Sequence, residues 1–131
     1  MLKSIQIITL IVLFLIAGFT CKKENDYPIS GCLKGRLEIK GICMNYVISI
    51  QQGNFDPGWV EASWQDPATG NSYQNVFSLG SYCSFPANID EGDEFSFYVV
   101  NKEDQNCAVC LAYRPKPQKH LVIRVRNTPC N

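Results

Sequence analysis

The run Arg36-Leu37-Glu38-Ile39-Lys40-Gly41-Ile42-Cys43-Met44-Asn45-Tyr46-Val47-Ile48-Ser49-Ile50-Gln51 decides the fold. Its apolar residues recur at every second position, first Leu37 and Ile39, then Ile42, Met44, Tyr46, Ile48 and Ile50. A period of two is that of a strand, whose neighbouring side chains point to opposite faces. The phase passes from odd to even numbers at Gly41, which predicts a β-bulge in one long first strand. A strand bent in this way serves two sides of a small barrel. Cys43 and Val47 are then expected to face away from the core.

The same period continues downstream. Val60, Ala62 and Trp64 share a face, and Asp66 to Asn71 supplies the turn residues of a hairpin. The next strand carries Tyr73, Phe77 and Leu79 and ends at Gly80-Ser81. An acidic turn at Ile89 to Asp93 leads into Glu94 to Asn101, where Phe95, Phe97 and Val99 alternate with Ser96, Tyr98 and Val100, so both faces should be at least partly covered. After a polar loop, Val109, Leu111 and Tyr113 predict a short strand stopped by Arg114-Pro115-Lys116-Pro117, and Leu121, Ile123 and Val125 predict the last one. Beyond residue 20 no apolar repeat of 3.6 is sustained, so the reading is all-β, a small antiparallel β-barrel of about six strands. A long first strand, a hairpin and the Ile89-x-Glu91-Gly92-Asp93 turn resemble oligonucleotide/oligosaccharide-binding (OB) folds. The resemblance implies an architecture and transfers no binding residue. An immunoglobulin-like β-sandwich is the alternative.

The chain has 131 residues with 12 basic and 12 acidic side chains, enough for one domain and without the basic excess of a nucleic-acid binder. Met1-Leu2-Lys3 and the apolar run Ile5 to Phe19 read as a signal peptide over residues 1–20, too short to span a bilayer comfortably. Cys21 stands at the junction with Lys22-Lys23-Glu24-Asn25-Asp26. A cysteine at that place resembles the lipobox of bacterial lipoproteins, and Cys21-Lys22-Lys23-Glu24-Asn25 is similar to the start of small Bacteroidota lipoproteins. Gly18-Phe19-Thr20 replaces the usual aliphatic and small residues, so the position of Cys21 carries the likeness. The resemblance implies cleavage before Cys21, acylation of its thiol with palmitate-like chains, and anchoring to the outer membrane of the cell envelope. Two or three acyl chains hold a terminus stably where one does not. An uncleaved membrane helix and cleavage without lipidation are the alternatives. Residues 21–31 then form a flexible tether and residues 32–131 a single β domain.

Removing Cys21 leaves Cys32, Cys43, Cys83, Cys107, Cys110 and Cys130, an even set that predicts three disulfides in an oxidising compartment. Six cysteines allow 15 connectivities. Cys107 and Cys110 are expected to pair elsewhere, because a two-residue spacer closes a tight ring. A thiol-disulfide enzyme using Cys107/Cys110 would need the pair at a helix start, and a zinc site would need a second ligand pair beyond His120 or Cys83.

No nucleophile, base and oxyanion set is apparent, and His120 is the single histidine. Asp90, Glu91, Asp93 and Glu94 lack the spacing of a calcium loop. No catalytic residue, metal or cofactor is expected. Phe55, Trp59, Trp64, Tyr73 and Phe77 form an aromatic set, beside the amides of Gln65, Gln74 and Asn75; the period places Trp64 and Phe77 inside and leaves Trp59 as the candidate ligand contact. The basic stretch Arg114, Lys116, Lys119, Arg124 and Arg126 reads as ordinary solvation. The functional expectation is a membrane-anchored, non-catalytic module binding a glycan, peptide or envelope partner. A structural accessory subunit of an envelope complex is the alternative.

Overall fold

The alternating run builds two antiparallel strands rather than one bent strand. The computed structural model describes residues 28–102 and 106–131; the expected signal peptide and Cys21 lie outside them. β1 spans Leu33–Lys40 and β2 spans Tyr46–Gln52, joined through a 3-10 turn at Ile42–Met44. Cys43 and Met44 adopt φ values of 53° and 59°, and the Asn45 side-chain amide donates to the Ile42 carbonyl at 2.7 Å. The phase change at Gly41 is therefore a reversal of the chain. An odd-length connection shifts an alternating pattern just as a bulge does. Ile42 lies on this reversal and is 61% exposed, while Met44 and Tyr46 pack only partly on the core.

A true register shift does occur in β1, between Leu37 and Ile39. It parts Ile39 from Leu37: Leu33 and Leu37 enter the main core, whereas Ile39 joins Val47 and Val76 in a second, smaller cluster. Val47 does leave the main core, as expected, yet it is fully buried, because Trp64 and Tyr73 cover this outer cluster.

Five further strands follow: β3 Glu61–Gln65, β4 Ser72–Leu79, β5 Glu94–Val99, β6 His120–Leu121 and β7 Ile123–Val125. All seven belong to one sheet in the order β3-β4-β2-β1-β5-β7, and β6 pairs in parallel with β4. A single paired sheet stands where the sandwich alternative would have two. β6 and β7 are halves of one run split at Val122, the first on β4 and the second on β5. These two short ladders bring the ends of a curled sheet together, but β3 remains an edge and the sheet is not a closed barrel.

Phe77, Phe97, Leu33, Leu37, Ile48, Leu79 and Ile123 are fully or almost fully buried inside the curl. In β5 both faces are covered as expected: Phe97 and Val99 lie in the core and Ser96 is buried on the other side, as is Val100 just beyond the strand. β4 departs from strict alternation. Asn75 has φ 51°, and this left-handed residue sends Tyr73 to the outer cluster while Phe77 and Leu79 stay inside. Asparagine tolerates that conformation better than other residues with a Cβ. Asn75→Val is expected to lower the unfolding free energy by about 1–2 kcal/mol, read from the urea midpoint, with Asn75→Gly near wild type.

Candidate functional site

Residues 106–119 form no strand. Pro115 and Pro117 cannot donate to a ladder, and Cys107 and Cys110 are drawn to partners outside their own segment. The expected strand at Val109–Tyr113 is replaced by a strap laid across one end of the sheet. Cys107 bonds to Cys83 and Cys110 bonds to Cys43, with Cα separations of 5.5 and 5.1 Å. The expectation that these two cysteines pair elsewhere holds, so no Cys107–Cys110 bridge exists in this structure. Cys32 and Cys130 form the third disulfide.

Non-covalent bonds fix the strap further. The Asn45 amide donates to the Ala112 carbonyl at 2.9 Å. The Arg114 guanidinium meets the Asp66 carboxylate at 2.7 Å. Asp66 opens the turn after β3: its carboxylate accepts from the Ala68 amide and the Thr69 hydroxyl, each at 3.0 Å. The side chain is wholly covered although it lies at a shallow depth. Burial works against its charged form, yet the Ala68 amide, Arg114 and Thr69 together hold its carboxyl below the usual aspartate range. Further along, the amide of Gln118 donates to Glu61 Oε1 at 2.5 Å and Lys116 lies over the Tyr82 ring. The basic stretch is thus partly structural, and Arg126 likewise stacks on Tyr98 and reaches Cys32 Sγ.

On this pinned segment Leu111 is 98% and Tyr113 77% exposed. Ile42 is adjacent to Cys43, whose partner Cys110 precedes Leu111, so the disulfide joins the two chain segments that carry these exposed side chains. The alternating pattern assigned all three to strands. The signal that opposes this is the flanking of Leu111 and Tyr113 by two cysteines and two prolines, a poor context for a ladder.

Trp59 sits elsewhere, on a 3-10 turn at Pro57–Trp59 that Asp56 caps by accepting from the Gly58 amide at 2.8 Å. Its ring is half-buried against the main core rather than freely presented. Trp64, expected inside with Phe77, instead stacks on Tyr73 over the outer cluster. Trp59→Ala is expected to cost about 2 kcal/mol of stability through lost packing, seen as a lower thermal midpoint with all three disulfides intact.

The acidic turn closes onto β1. Lys40 Nζ contacts Asp90 at 2.6 Å and its backbone amide donates to Glu91 at 2.9 Å. The hydrogen bond to Asp90 leads the influences that raise the Lys40 pKa above its ordinary value. A groove of about 610 Å³ lies beside β5 under the C-terminal segment, walled by Lys34, Glu94, Arg126 and Thr128 as well as Phe95 and Val125. Lys34 and Glu94 pair across it at 2.6 Å. Among the described residues no group of three or more His, Cys, Asp or Glu side chains is placed to hold a metal ion. No family model, curated protein or solved structure matches the chain.

Proposed function

We propose that the chain is a lipid-tethered, non-catalytic binding module of the bacterial cell envelope. The observation that supports this reading is the sulfur count. All six cysteines from Cys32 to Cys130 are paired with one another, which leaves Cys21 as the odd one of seven. Such bridges persist in oxidising compartments, and an acyl thioether at Cys21 accounts for the odd sulfur. The bound partner is a glycan, a peptide or another envelope component, and no residue is given a catalytic role.

Metabolic labelling with a palmitate analogue, followed by mass spectrometry of the mature N-terminus, tests the tether. The expected product starts at acylated Cys21, fractionates with membranes, and loses both label and membrane association in Cys21→Ser. A chain that keeps Met1, or one cleaved without acylation, would overturn the lipid anchor.

A further inference from the structure

We propose that the strap carries a redox switch. A dithiol reductant opens Cys83–Cys107, and the freed Cys107 thiolate then takes Cys110 from Cys43. A single two-electron reduction thereby releases the segment between Cys107 and Cys110 from both of its distant anchors. The inference goes beyond the binding role proposed above and depends neither on that role nor on acylation of Cys21.

Each sulfur of the Cys107-x-x-Cys110 pair is bonded to a cysteine far along the chain, yet the spacing makes each the other's local alternative. Three chain steps reach at most about 11 Å, and a turn that folds them brings the Cα atoms into the range of about 4.4–6.8 Å that a disulfide requires. Residues 106–111 belong to no strand, so no ladder opposes such a turn. Cys107 and Cys110 are exposed whereas Cys43 and Cys83 are half-buried, so an incoming thiolate meets the strap's side of each bridge first. The Cys107 amide donates to Cys83 Sγ at 3.2 Å. That bond favours the Cys83 thiolate, which makes Cys83 a good leaving group when Cys107 is attacked. Cys32–Cys130 lacks this arrangement: no other cysteine stands within ten residues of either end along the chain.

Sulfur and electrons balance across the exchange. A thiolate of the reductant attacks Cys107 Sγ, forming a mixed disulfide and expelling Cys83 as thiolate. The second sulfur of the reductant closes its own disulfide and expels the Cys107 thiolate. That thiolate attacks Cys110 Sγ, forming the Cys107–Cys110 bond and expelling Cys43. The dithiol gives up two electrons and two protons, and the protons end on Cys43 and Cys83. Reaction with an oxidised dithiol runs the same steps backwards. The Asn45–Ala112 hydrogen bond and the Arg114–Asp66 pair lie outside the exchanged bonds, so the strap beyond Leu111 stays seated while residues 106–111 come off the sheet.

Graded treatment of the oxidised chain, isolated from the cells that make it, with dithiothreitol tests the switch. Samples are quenched by alkylation and read by non-reducing peptide mapping. The first species to gain two thiols should carry them at Cys43 and Cys83, with a Cys107–Cys110 bridge and with Cys32–Cys130 intact. Thiols at Cys83 and Cys107, at Cys43 and Cys110, or at Cys32 and Cys130 in that species would overturn the inference. So would loss of all three bridges in one step. Cys83→Ser tests the transfer without any reductant, since it leaves Cys107 without its partner. The unpaired thiol should then be found on Cys43 in at least about one tenth of the molecules. A thiol confined to Cys107, or disulfide-linked dimers in place of the Cys43 thiol, would count against the exchange. If Cys83→Ser does not fold, the wild-type map alone decides.

Discussion

Arg114→Ala is expected to destabilise the domain by about 3 kcal/mol, because removing one partner of a covered ion pair leaves the other charge without compensation. The Asp66 side chain is fully shielded from solvent, and among the described residues Arg114 supplies its only cationic contact. The expected value sits at the lower end of the range for buried pairs, since Asp66 keeps the Ala68 amide and the Thr69 hydroxyl and Arg114 itself is partly exposed. Asp66→Asn should cost less, because an amide oxygen still accepts from Ala68. A double-mutant cycle in urea isolates the pair; a coupling below about 0.5 kcal/mol would mean that Arg114 acts through packing alone. The pH dependence has a defined sign. The folded-state pKa of Asp66 is depressed, so its contribution is present above the ordinary aspartate value of about 3.9 and disappears as pH falls through the lowered value. Wild type and Asp66→Asn should therefore converge in stability as acid is added below that point.

The larger loss is expected from opening the Cys32–Cys130 bridge. Replacing both cysteines by alanine should cost about 4.7 kcal/mol, against about 3.4 kcal/mol for Cys83–Cys107, because the closed loops differ in length. The sequence separations are 98 and 24 residues. The first bridge also seats the C-terminal segment, where the Cys130 amide donates to the Ser96 hydroxyl at 3.1 Å. Urea midpoints of the two double variants give the comparison. Equal losses would show that contacts around Arg126 and Ser96 hold the chain's last residues without covalent help.

Local patterning made the strands legible where each is short and regular. The two faces of β5, the β3–β4 hairpin and the acidic turn before β5 follow from alternation and turn residues. The reversal at Gly41–Asn45 was hidden, since a five-residue connection keeps apolar residues on alternate positions and mimics a bulge. Asn75 is ordinary in composition, and only its backbone angle reveals why Tyr73 and Phe77 part company. The strap was the least legible element, because its conformation is dictated by Cys43, Asp66 and Cys83, which lie 24 to 67 residues away along the chain. Leu111 and Tyr113 carry the right residues for a strand, and covalent bonds to distant partners prevent one. Trp59 was identified as an aromatic of interest by composition, while its half-buried seat depends on how the 3-10 turn folds back on the core.

The Cα atoms of Cys32 and Cys130 lie 5.7 Å apart, so the domain begins and finishes at a single covalent knot. Mechanical load applied between its leading and trailing ends passes through that bond and bypasses the hydrogen-bonded ladders. Under tension such a unit behaves as an inextensible bead, yielding only after reduction of the sulfur link.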